Sequence, residues 1–149
     1  ITKKSVDIPD AIEDVPDSLR WCEKTGGLDA LIKRSEANLK AVEQWVKKTP
    51  WIGFLAAEAR TRSCTSICLK ITDPWYESLS PEQQAEGAKQ IAALLEKEGV
   101  AYDIGSYRDA PPGLRIWGGA TVETADIEAL LPWIEWAWGE VKNTMSKAA

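Results

Sequence analysis

Histidine is absent from this chain of 149 residues. That absence removes a Ser-His or Cys-His nucleophile pair, imidazole acid/base work and nearly every zinc site. Chemistry here has to rest on carboxylates, Lys, Arg, Tyr or a bound cofactor. Cysteine is scarce too: Cys22, Cys64 and Cys68 are an odd set in a chain large enough to fold without staples, which suits a reducing compartment. No apolar run approaches the roughly 20 residues of a membrane helix, and the opening ITKKSVDIPDAIEDVPD has no signal-peptide core. The expectation is a cytoplasmic protein with no membrane partner. Basic residues do not cluster beyond pairs such as Lys3-Lys4 and Lys47-Lys48, and the net charge is -5, so nucleic acid is not an expected partner. A start at Ile1 without Met suggests a cut or processed end.

What is present is the composition of a soluble globular protein, 44% hydrophobic and 28% charged, in a length that fits one domain with a real core. Residues 1–18 are Asp-rich, contain Pro9 and Pro16 and read as an extended acidic lead-in. Residues 19–48 read as connecting helices, a short one and then a long amphipathic one, broken at Gly26-Gly27 and stopped before Pro50. Residues 49–149 read as a small α+β domain. Within it, residues 51–58 and 65–71 have strand character, with Ile67, Leu69 and Ile71 alternating against Ser66, Cys68 and Lys70. Ser80-Pro81-Glu82-Gln83 carries the parts of a capping box, and Gly99 can end that helix in the left-handed region. Residues 100–105 and 113–117 read as two further strands, and a last helix begins near Thr124. The order β-β-α-β-β-α behind a long helix predicts a two-layer α+β fold, a small mixed or antiparallel four-stranded sheet with helices on one face.

Within Leu114-Arg115-Ile116-Trp117, strand alternation sends Arg115 away from the core if Leu114 and Ile116 enter it. A guanidinium on that open face suits bidentate capture of a carboxylate or phosphate, whereas a surface Arg stacked on Trp117 or paired with a neighbouring acid is the plainer reading. The two stay open on spacing alone. Tyr107 and Arg108, in the loop before Pro111-Pro112, can lean over the same face, with Arg108 as a second anion contact. Cys64 and Cys68 fit core-strand positions better than a metal pair, and no metal site is expected. Trp138 shares a helical stripe with Ile134 and Val141 and should be core, while Trp133 and Trp136 would meet a neighbouring domain or subunit if exposed.

The segments GGLDALIKRSEANLKAVEQWV, TRSCTSICLKITDP and EGVAYDIGSYRDAPPGLRIWGGATVETADIEALLPWIEWAW resemble phosphoserine aminotransferase, and the resemblance covers residues 18–139. It implies a fold-type I, pyridoxal phosphate-dependent, class V aminotransferase of serine biosynthesis, a transferase moving the amino group of glutamate to 3-phosphohydroxypyruvate. It implies further that this chain is only the C-terminal small domain. The Schiff-base lysine and the groups that hold the cofactor would lie in a large domain before Ile1, so that no catalytic or cofactor-binding residue is expected here and the isolated chain should be inactive. By resemblance Arg115 falls on the arginine that binds the substrate α-carboxylate, and Tyr107 and Arg108 fall near a pair that holds the substrate phosphate. The full-length family is homodimeric. SVDIPDAIEDVPDSLRW departs from its pattern, with Asp7 where the family contacts the partner's cofactor phosphate and acids where apolar dimer contacts are expected. A different class of function, a non-catalytic and even engineered monomeric scaffold or interaction domain, competes with this reading.

Overall fold

The computed structural model describes residues 8–148, with side-chain surroundings for residues 15–147. The expectations for residues 1–7, including Asp7 beside a cofactor phosphate, lie outside the described residues. From Ile8 onward the lead-in is helical rather than extended: α1 spans Ile8–Thr25 with Pro16 inside it. The prolines obscure a run of Ile8, Ile12, Val15, Leu19 and Cys22 at alternating four- and three-residue spacing, which is a helical repeat. Gly26, at φ 113, turns the chain into α2, Gly27–Val46. The inner stripe of α2 is Ser35, Asn38, Ala41, Val42 and Trp45, all buried.

Three antiparallel strands follow in the order β1-β2-β3, with β1 Ile52–Phe54, β2 Ser66–Ile71 and β3 Leu114–Trp117. The expected fourth strand over residues 100–105 is reduced to a single bridge between Gly105 and Leu114. Asp103 takes a left-handed φ of 55 and breaks the extended conformation there, although the Arg115 N–H still donates to the Ile104 carbonyl at 2.8 Å. Between the strands lie α3, Pro74–Glu77, and α4, Pro81–Lys97. Helix α4 begins with the full Ser80/Gln83 capping box and is followed by Gly99 at φ 69. The last helix, α5, runs Thr124–Ala148.

The core is built between the sheet and α2, α4 and α5. Ile52, Ile67, Leu69, Ile71, Leu114 and Ile116 face it from the strands and meet Val42, Ile91, Leu95, Ile134 and Val141 from the helices. Trp138 is buried as expected and stacks on Trp51 at 4.9 Å, with Trp45 and Tyr76 edge-on to this pair. The other sheet face carries Gly53, Ser66, Cys68, Lys70, Arg115 and Trp117, the residues that alternate with the core set. Cys68 is thus half-buried on the face away from the core, because Ile67 and Leu69 beside it take the inward positions. Trp133 and Trp136 sit exposed and edge-to-face on α5.

Candidate functional site

The backbone at both ends of β3 explains the glycines that bracket it. Gly113 passes so close to β2 that an added Cβ would lie 2.2 Å from the Leu69 carbonyl oxygen, and one on Gly118 would meet the Cys64 carbonyl oxygen at 2.8 Å. Neither position has room for a side chain, so the strand is held against β2 and the direction of each β3 side chain is fixed. Arg115 stands directly opposite Cys68 in the ladder and leaves the sheet on the face away from the core.

Arg115 is paired with a neighbouring acid and stacked on an aromatic ring, as the plainer reading of the sequence has it, with other partners than Trp117. Its Nη2 donates to the Asp103 carboxylate at 2.6 Å and to the Asp103 carbonyl at 3.1 Å. The Tyr107 ring lies over the guanidinium at 4.5 Å, in the place anticipated for Trp117. The arginine side chain is only 11% exposed, while that of Asp103 is 87% exposed. Among the described residues the Nε of Arg115 is buried without a hydrogen-bond partner. A buried cation with an orphaned donor, paired to an acid that faces water, is a group able to accept a further anion.

Arg115 opens on a cleft of about 300 Å³ lined also by Tyr102, Asp103, Trp117, Val122 and Asp126. Tyr107 reaches this site through its ring. Arg108 does not: it is exposed and lines a separate cavity of about 450 Å³ against α4, together with Lys89 and Glu96. Asp103 does not stand out in the sequence, since nothing in a 12-residue separation shows that it meets Arg115. Asn38 escapes sequence reasoning as well, although a signal exists, an amide in the middle of the apolar stripe of α2. It is fully buried and donates to the carbonyls of Gly118 and Val122, both at 3.1 Å, and accepts from the Thr124 hydroxyl at 2.7 Å. Arg34 adds a bond to the Ala120 carbonyl at 2.7 Å, so α2 holds the loop that follows β3.

Among the described residues no group of three or more metal-binding side chains occurs, and no helix is long and apolar enough to cross a membrane. No protein-family model matches the chain. Curated relatives do: the phosphoserine aminotransferase of Methanosarcina barkeri is 51% identical over 132 residues, covering 89% of this chain and 33% of that protein. The chain is homologous to phosphoserine aminotransferases over most of its length. The Methanosarcina mazei phosphoserine aminotransferase is 50% identical over the same share of the chain. The solved phosphoserine aminotransferase of Bacillus circulans subsp. alkalophilus superposes with a TM-score of 0.69 at 18% identity, covering 91% of this chain and 34% of that one. This chain therefore has the fold of one part of a phosphoserine aminotransferase and spans about a third of the length of the curated relatives it matches.

Proposed function

We propose that this chain is the C-terminal, substrate-carboxylate-binding domain of a phosphoserine aminotransferase-like enzyme of serine biosynthesis, cytoplasmic, and inactive without a large domain that holds pyridoxal phosphate. The observation that carries the proposal is Arg115, a mostly buried guanidinium on the sheet face away from the core, opening on a cleft in a chain half identical to named phosphoserine aminotransferases. Its task is to bind the carboxylate of glutamate or of the phosphorylated keto acid and so orient the reacting carbon, which lowers the entropy cost of the chemical step. Tyr107 fixes the plane of the guanidinium, whereas Arg108, on the same loop but facing the separate cavity against α4, is given no part in this cleft.

Pyridoxal phosphate supplies an electron sink in such enzymes. The residues at this cleft do not fit it, since none of them is a lysine that could hold it as a Schiff base. The cofactor is accordingly assigned to segments outside this chain. Val15, Leu19, Leu28 and Ile32, apolar and exposed on α1 and α2, support the view that further protein packs here. A homodimer belongs to the same proposal.

Arg115→Ala in a complete enzyme containing this chain should raise KM for both amino and keto acid and lower kcat/KM by about a hundredfold or more, roughly 3 kcal/mol of transition-state binding. Unchanged kinetics for both substrates would remove the assignment. The isolated chain, treated with pyridoxal phosphate and borohydride, should give no stoichiometric adduct at a single lysine. A second reading, a non-catalytic interaction module, is favoured by one observation, that Asp103 already neutralises Arg115. It predicts that the Arg115 variant keeps full activity in the complete enzyme.

A further inference from the structure

A carboxylate grips an arginine through two parallel N–H···O bonds, using either Nη1 with Nη2 or Nε with Nη2. Nη2 is common to both modes. In this structure Nη2 faces two acceptors, and both belong to Asp103. One is the carboxylate at 2.6 Å and the other the main-chain carbonyl at 3.1 Å, so Asp103 engages the nitrogen that every bidentate ligand needs. The Tyr107 ring covers one face of the guanidinium, which leaves approach within its plane.

We propose that Asp103 is a built-in occupant of the Arg115 fork, and that an incoming substrate carboxylate binds by exchanging with it. This rests on the reading of Arg115 as the carboxylate anchor and adds the residue that sets its affinity. Three features make the exchange feasible. Asp103 is 87% exposed, so the released carboxylate returns to water without moving core residues. It lies in the connection between α4 and β3, outside both elements. The exchange replaces one carboxylate by another on the same nitrogen, so the buried guanidinium is never left unpaired, the situation that costs most in a low-dielectric site. Release of the Asp103 carboxylate frees Nη2 toward a ligand oxygen, and the buried, unpartnered Nε beside it supplies the second donor of the Nε–Nη2 mode. Affinity measured at equilibrium is then the intrinsic affinity reduced by the fraction of molecules in which Asp103 holds the fork.

The test uses Asp103→Asn, since Asn tolerates the left-handed φ of 55 as well as Asp and keeps the fold. L-glutamate is titrated into the wild-type and variant chains at fixed ionic strength, following the Arg115 side-chain resonances by NMR. Labelling of Arg115 by phenylglyoxal is timed in parallel by peptide mass mapping. The expected result is faster labelling and a glutamate Kd lowered roughly fivefold or more in the variant. Equal glutamate affinity in the two chains overturns the exchange, and if Arg115→Ala still abolishes that binding, the carboxylate-anchor reading survives. Faster labelling with no glutamate binding to either chain overturns the anchor reading itself, and the exchange with it.

Discussion

The side-chain amide of Asn38, in the middle of α2, donates to the Gly118 carbonyl just past the end of β3 across 80 positions of sequence. Asn38 is fully buried, and its acceptors at Gly118, Gly119 and Val122 and its donor Thr124 leave no polar atom of the amide idle. A network satisfied in this way fixes one arrangement and becomes costly when one member is deleted. It also sets where β3 ends, and through that the position of Arg115.

Asn38→Ala should therefore destabilise the chain by about 2–4 kcal/mol, since it strands several buried carbonyls at once. Asn38→Asp should be no better, because a carboxylate cannot donate to those carbonyls. Urea denaturation followed by tryptophan fluorescence checks both, and a loss under about 0.5 kcal/mol would show that the carbonyls find other partners.

Gly113→Ala should be among the most damaging single-methyl additions in this protein. The new Cβ would lie 2.2 Å from a backbone oxygen of β2, and a strand carbonyl cannot move aside as a flexible side chain can. A loss of about 3 kcal/mol or more is expected. Gly139→Ala is the control: nothing lies within 4 Å of its Cβ, and it sits within α5, where alanine should gain up to about 1 kcal/mol. Thermal denaturation of the two variants should move in opposite directions.

Local signals carry much of this fold in the sequence. The Ser80/Gln83 capping box, the stop at Gly99 and the outward direction of Arg115 each depend on residues a few positions apart, where spacing alone settles geometry. Contacts made across long separations are not legible there. The Asp103 partner of Arg115 arises because one left-handed residue ends the expected fourth strand and swings its side chain across β3. Tyr107 rather than Trp117 covers the guanidinium because the loop before Pro111 folds back over the strand, a path that alternation within β3 does not encode. The helix over Ile8–Thr25 is hidden for the opposite reason: Pro9 and Pro16 mask the apolar repeat they interrupt. The site is accordingly half legible, its cation visible in the pattern and the groups around it fixed by tertiary structure.

The Lys142 ammonium lies 2.6 Å from the Asp73 carboxylate and joins the end of α5 to the start of α3. Burial alone would raise the Asp73 pKa, but the Lys142 charge and hydrogen bond, with the main-chain N–H groups of Trp75 and Tyr76, outweigh it and hold the pKa below its ordinary 3.8. A depressed carboxyl pKa stabilises the fold above the unfolded value and loses that contribution as pH falls through the folded one. Lys142→Gln should therefore cost about 1 kcal/mol at neutral pH, and less once Asp73 is protonated in both chains, when only the contacts of the ammonium with the Trp75 and Trp138 rings remain. Comparing the stabilities of the two chains from pH 7 down to pH 2 tests this, and a constant difference would contradict it.

Tyr76 governs the alkaline side by the opposite sign. It is 2% exposed and its hydroxyl donates to the Gln84 carbonyl, and burial pushes its pKa from 10.0 up to about 12. Between these two values the unfolded chain releases the phenolic proton while the folded chain keeps it, so stability falls as pH rises through that window. The full loss approaches roughly 2–3 kcal/mol, since each tenfold difference in proton affinity between the folded and unfolded chains is worth about 1.4 kcal/mol. Tyr76→Phe deletes both the titration and the hydrogen bond. It should cost about 1 kcal/mol at pH 7, yet above pH 10 its stability should decline less steeply than that of the wild type, so that the two curves converge and then cross. Denaturant midpoints at half-unit steps from pH 8 to pH 12 measure this, and parallel curves would mean that Tyr76 ionises as readily in the folded chain as in the unfolded one.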